Sequence, residues 1–296
     1  MKLVLHLSHY NWAARPEQYA EVLTDVAALA EDGGLDGIAV ADHVWQHPIM
    51  GGPEADLLEA YTTLAYLAAR TRSVRLLTVV TGVHFRHPAV LAKTVTSLDV
   101  LSGGRAWLGI GAGHYEEECT GLGVPFPPLA ERFELLEETL GVCTRLWSGE
   151  HGDDGAFHGQ HVDAARLLHL PQALQRPHPP ILIAGTGERR TLPLVARYGD
   201  ACSLRPGPEI PAQLDTLRQL CDEAGRDVAE IERTCAYAFD PDDGGPQCEQ
   251  LLDQLRWLAG LGIDTVIGRV DGDDPRRAVD RLARHVVPRA DEIEPA

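Results

Sequence analysis

A chain of 296 residues with a formal net charge of −18 and 44% apolar residues can fill one large α/β barrel or two smaller domains. So acidic a surface argues against nucleic acid and anionic membranes, leaving any anionic ligand to local arginines and backbone N–H groups. No apolar run is long enough to cross a membrane, Met1-Lys2 leads into a strand without a signal-peptide pattern, and six cysteines without metal-ligand spacing read as reduced and cytoplasmic.

Leu3 to Leu7 predicts the first strand. Pro16 opens a helix whose apolar stripe is Tyr19, Val22, Leu23, Val26, Leu29 and Ala30, closed by Gly33-Gly34. Gly37 to Val40 predicts a short second strand that ends in Ala41-Asp42-His43. A polar loop follows, then a helix with Leu57, Tyr61, Leu64 and Ala68 on one face. Leu76 to Val80 is a continuous apolar, partly β-branched run, the pattern of a strand buried on both faces. Pro88 suits the first turn of a helix, and Val90, Leu91, Thr94, Leu98 and Leu101 recur at helical spacing up to Ser102-Gly103-Gly104. Ala106 to Ile110 predicts a second buried strand, and Gly109, Gly111 and Gly113 let its exit approach a ligand closely. Leu129, Phe133, Leu136, Leu140, Cys143 and Trp147 mark the next helix, with Glu131, Glu134 and Glu138 facing water.

His151 to Pro180 breaks the rhythm: rich in His, Gly and Pro, it has room for a short hairpin around Phe157 to Leu170 and reads as a functional insertion or a lid. Strands then return at Ile181–Ala184, Asp200–Leu204, Arg233–Phe239 and Thr265–Gly268, each followed by a helical pattern. Strand–helix alternation without a composition shift predicts one parallel (β/α)8 barrel. The open doubly wound sheet is disfavoured because no dinucleotide fingerprint follows the first strand.

In such a barrel the chemistry sits at strand exits. That rule gathers His6 and Ser8, then Asp42 and His43, then Thr78 and Thr81. It adds Gly111, Gly113, His114 and Glu118, and finally Gly185, Thr186 and Gly187. Asp42 can hold a hydrogen-bond donor and His43 can pass a proton near neutral pH; the bland reading is a turn cap and a satisfied polar residue. Ala184 to Arg190, a glycine-rich turn opening a helix beside Arg189, is a generic phosphate site or a plain tight turn. Glu116 and Glu117 read as a solvated helix start, with Glu118 set apart. Trp45 reads as a wall of the pocket or as a packing residue at the barrel rim, and His84, Arg86 and His87 read as reaching the same mouth or as ordinary loop residues.

The run Arg86-His87-Pro88-Ala89…Ala92-Lys93…Leu98-Asp99…Leu101-Ser102-Gly103-Gly104-Arg105…Leu108-Gly109-Ile110-Gly111-Ala112-Gly113…Glu118…Gly121 resembles the bacterial luciferase-like superfamily. With Ala41-Asp42-His43 and Pro180 to Asp200, it is similar to the branch that uses the deazaflavin coenzyme F420. The resemblance implies a single TIM-barrel domain over 1–296 with an insertion at 151–180, before strand five. It implies hydride exchange between F420 and a small organic substrate, with Asp42 at the ring and His43 as general acid or base, Glu118 beside it. A non-prolyl cis peptide near Val79-Val80 would back the ring, so Thr78, Val79, Val80 and Thr81 are expected around it. Gly111, Gly113 and His114 would wall the cleft, and Gly185, Thr186, Gly187 and Arg189 would hold the phosphate. Relatives are often dimers, so a homodimer is expected. An FMN-dependent monooxygenase and a non-catalytic flavin-binding barrel are the alternatives, since the cofactor decides the chemistry. His114-Tyr115 departs from the family's usual aromatic-then-His order, and the Val44 to Gly51 loop and the insertion are individual.

Overall fold

A computed structural model describes residues 1–296. Its barrel strands are β1 (Lys2–Leu7), β2 (Gly37–Val40), β3 (Arg75–Thr78), β4 (Ala106–Gly111), β5 (Ile181–Ala184), β6 (Ala201–Leu204), β7 (Glu232–Phe239) and β8 (Thr265–Val270). Neighbouring strands pair in parallel, β8 pairs back onto β1, and β3 pairs with β4, so the sheet closes on itself as the alternation predicts. Val4, Ala39, Leu77, Leu182, Ala201 and Ile267 fill the inside, while a second core of 67 buried residues lies largely between strands and helices. Near the amino-terminal end, Arg75 pairs with Glu232 at 2.8 Å and its guanidinium lies 4.8 Å from the Trp107 ring centre. No helix is long and apolar enough to cross a membrane.

The apolar run at 76–80 overshoots its strand. β3 stops at Thr78, Val79-Val80 is a cis peptide as the resemblance implies, and Thr81–Gly82 resumes pairing with β4. Helix α1 (Tyr19–Asp32) agrees with its predicted stripe, but α2 (Ala60–Ala68) begins after Leu57. In α3 (Pro88–Ser102), Leu91, Val95 and Leu98 are buried, whereas Val90 and Leu101 are 56% and 75% exposed. Those two lie three helical turns apart and so share the outward face.

Two residues of the family-like run turn out to build scaffold. Asp99 is fully buried and accepts from Leu174 N at 2.6 Å, Gln175 N at 3.2 Å and Gln175 Nε2 at 2.6 Å. Arg105 donates to the carbonyls of Ala68, Thr71, Val74 and Ser102, satisfying the carboxyl end of α2 and the turn after it. Further clamps join the insertion to the barrel's helices. Trp147 Nε1 donates to Thr96 Oγ1 at 2.8 Å, and Thr96 bonds His169 Nε2 at 2.9 Å. In α5 (Leu129–Leu146), Glu138 accepts from the backbone N–H groups of Gln160, His161 and Val162 rather than facing water. The insertion, with its Phe157–His158/Asp163–Ala164 hairpin, therefore docks on α3 and α5 and has the build of a strapped-down collar rather than a lid.

Candidate active site

At the β2 exit Asp42 is 4% exposed, and Arg86 grips it with Nη1 to Oδ2 at 2.5 Å and Nη2 to Oδ1 at 3.0 Å. Thr81 donates to Asp42 Oδ2 at 2.7 Å and receives the Tyr61 hydroxyl at 2.9 Å. Thr78 donates to Gly109 O at 2.8 Å. Thr78 and Thr81 have no exposed surface. From the sequence Asp42, Thr78 and Thr81 are expected to face a ligand; here their polar atoms are spent on one another, on Arg86 and on the main chain. They brace the strand-three exit from behind.

His43 is different. Its Nδ1 lies 2.8 Å from Glu118 Oε2, and Glu118 Oε1 accepts from Val44 N at 2.5 Å and Trp45 N at 2.8 Å. Glu118 sits on α4 (Glu116–Leu122), fully buried, while Glu116 and Glu117 are solvated as expected. Burial pushes its carboxyl up, yet the bonds from His43, Trp45 and Val44 outweigh burial and hold it below the ordinary glutamate range. An ionised carboxylate only accepts, so His43 presents Nδ1–H to it, and in the neutral ring Nε2 carries the lone pair.

A lowered folded-state value means that the glutamate's contribution to stability is complete above its unfolded pKa and is lost as pH falls through the lowered value. We expect thermal stability to fall more steeply on acidification in the wild type than in Glu118→Gln. Parallel melting curves, read from neutral to acid pH, check this.

Aromatic rings crowd around His43. His47, His114 and Tyr115 have ring centres 5.9, 5.6 and 5.9 Å away, and Phe85 is at 6.3 Å. Burial, reinforced by the Arg132 charge, pushes His84 down to about 4. The expected role of Gly113 changes here: with φ +77°, an added Cβ would lie 2.2 Å from His84 Cε1, so the glycine makes room for that ring. At Gly111 an added Cβ would meet Val80 Cγ2 at 3.2 Å.

Across the mouth the floor is made of small residues. Ala236 is exposed in mid-strand, Ala184 is half-buried, and Val79 and Val80 show partly exposed side chains that pack on the inner core. After β5, Gly185 has φ +130°, and the N–H groups of Thr186, Gly187, Glu188 and Arg189 donate to no protein acceptor. This is a shelf for a flat apolar ring with unspent donors at one edge. Arg189 does not join it; its exposed side chain lines a groove of about 300 Å³ with Phe133, Glu137, Arg190 and Arg197. His6 is half-buried and is pushed down to about 4, chiefly by desolvation and then by the nearby Arg269 charge. A cavity of about 550 Å³ lies at the opposite end among Lys2, Arg218, Glu232 and Asp264.

Sequence reasoning missed His47, Phe85, Arg205 and Arg269 at this rim. His47-Pro48 held the one readable signal, a ring placed just before a helix-opening proline.

A closed parallel barrel with its polar groups gathered where strands end defines the class, and the chain belongs to the luciferase-like monooxygenase family, whose model matches residues 1–289. The F420-dependent glucose-6-phosphate dehydrogenase of Kineococcus radiotolerans is 33% identical over 264 residues, covering 86% of this chain and 73% of the relative. The enzyme of the same description from Nocardia farcinica is 34% identical over 272 residues, covering 86% and 74%. Among solved structures, monooxygenase RslO1 from Streptomyces bottropensis superposes with TM-score 0.80 at 24% identity, covering 97% of this chain and 99% of that one. An F420-dependent secondary alcohol dehydrogenase in complex with an F420-acetone adduct gives TM-score 0.79 at 20% identity, with 98% of each chain covered.

Proposed function

We propose that this protein is an F420-dependent oxidoreductase that moves a hydride between deazaflavin C5 and a small organic substrate, with His43 relaying the proton. One observation carries the reading: the buried, ionised Glu118 holds His43 by Nδ1 beside the mouth and leaves Nε2 unbonded. When bound, the deazaflavin supplies a ring carbon that accepts or returns hydride. The residues present fit such a group. Val79 and Val80 offer a partly exposed apolar shelf, Gly111 keeps β4 close against it, and the N–H groups after Gly185 are free for phosphate oxygens. The relatives named above as F420-dependent support the cofactor. Arg189 would reach a phosphate only by swinging in from its outer groove. The reading carries with it the homodimer and the cytoplasmic location expected from the sequence.

Fluorescence titration of the purified protein with F420 and, separately, FMN tests the reading. We expect saturable F420 binding with FMN weak; binding of FMN alone would reject it.

A further inference from the structure

Helix α4, which carries Glu118, has only seven residues, and so short a helix is not held in place by its own hydrogen bonds. Its flanks are fixed from α5. Arg132 donates to Ala112 O at 3.1 Å and Gly113 O at 2.5 Å ahead of the helix, and to Pro127 O at 3.0 Å beyond it. A second grip comes from the loop that carries His43. Glu118 and Gly121, three residues apart, share one face of α4. Glu118 takes the Val44 and Trp45 N–H groups, and the Trp45 indole lies over Gly121. A Cβ at position 121 would lie 2.1 Å from Cη2, 2.8 Å from Cζ3 and 3.0 Å from Cζ2 of that ring. The backbone at 121 is helical with no positive φ, so its conformation does not call for glycine. The ring does.

Resting on the reading above, we infer that Trp45 and Gly121 are positioning residues for the proton relay. The indole seated on the bare Cα sets the height of the 43–45 loop over α4, and with it the bond from His43 Nδ1 to Glu118 Oε2. Trp45 thus grips the helix twice, by its N–H and by its ring. Both residues act through Glu118 and His43, without touching cofactor or substrate. An alanine at 121 drives the ring off its seat or lifts the loop, and either movement lengthens the bond. The carboxylate then loses donors that hold it below the ordinary glutamate range.

Cofactor-free protein carries the test. The proton between His43 and Glu118 should give a low-field ¹H signal in the wild type, assigned by its absence from His43→Ala. In Gly121→Ala its exchange with water should speed up ~10-fold or more, as for a bond that opens locally. The Glu118 carboxyl, followed by ¹³C, should titrate at higher pH in the same variant. Alanine is the better helix former, so an effect confined to the stability of α4 would run the other way. Trp45→Phe combined with Gly121→Ala trades ring for methyl and should bring both signals back toward the wild type. Wild-type exchange and titration in Gly121→Ala overturn the inference, and so does a double variant no better than Gly121→Ala. Should Gly121→Ala fail to fold, Trp45→Phe alone, which adds no atom and leaves the seat underfilled, must show the faster exchange, and unchanged exchange there overturns the inference equally. A wild type that fails to bind F420 instead rejects the preceding reading, and the signals of the cofactor-free protein do not depend on that result.

Discussion

His43→Ala is expected to slow hydride transfer by ~10²-fold or more while F420 affinity stays close to that of the wild type. The ring supplies one thing to the reaction, a proton site at Nε2, and the shelf that would seat the cofactor lies on β3, β4 and β5. Removing the ring leaves Glu118 with the Val44 and Trp45 N–H groups, so the rim should keep its shape. Stopped-flow absorbance of F420 under single turnover isolates the chemical step from binding and product release. Partial recovery with added imidazole would tie the loss to the missing proton acceptor. Wild-type rates in the variant would remove His43 from the mechanism.

Gly109→Ala should be the most damaging small substitution in the chain. The added Cβ would lie 1.8 Å from Thr78 O, a main-chain atom that cannot swing aside. Overpacking of backbone against backbone should cost about 3 kcal/mol or more, near the top of the range for an inserted methyl. Thr78 also donates to Gly109 O and directly precedes Val79-Val80, so a displaced strand carries the shelf with it. Urea unfolding and F420 titration should therefore worsen together. Gly123→Ala is the control: its Cβ meets nothing within 4 Å, so only the left-handed backbone at φ +70° is penalised, at about 1 kcal/mol. Equal stability of the two variants would show that the strands part more easily than their contact suggests.

The barrel was legible because each strand is a short apolar run bounded by turn residues, and each helix repeats its apolar positions every three or four residues. Gly37–Val40, Pro88–Ser102 and Ile181–Ala184 have the boundaries the pattern predicts. The strand-three exit was overrun because Val79 and Val80 are as apolar as the residues before them. Contacts between distant segments were illegible for a different reason. Nothing local says that Glu118 reaches His43, that Asp99 ties down Leu174 and Gln175, or that Glu138 holds the turn at 160–162. Arg189 was illegible in the same way: adjacency to a glycine-rich turn says nothing of the side a long side chain takes, and here it lines the outer groove.

The collar at 151–180 has a practical consequence. It leaves α5 and rejoins at the start of β5, the end of the barrel away from the catalytic rim, and its grip is on helices facing outward. Its length is thus uncoupled from the redox end. The turn at 160–162 is pinned to α5 by Glu138, so a fluorophore or affinity handle belongs instead at the exposed Glu150, where the collar begins, giving a reporter that rides on the enzyme without touching its reaction.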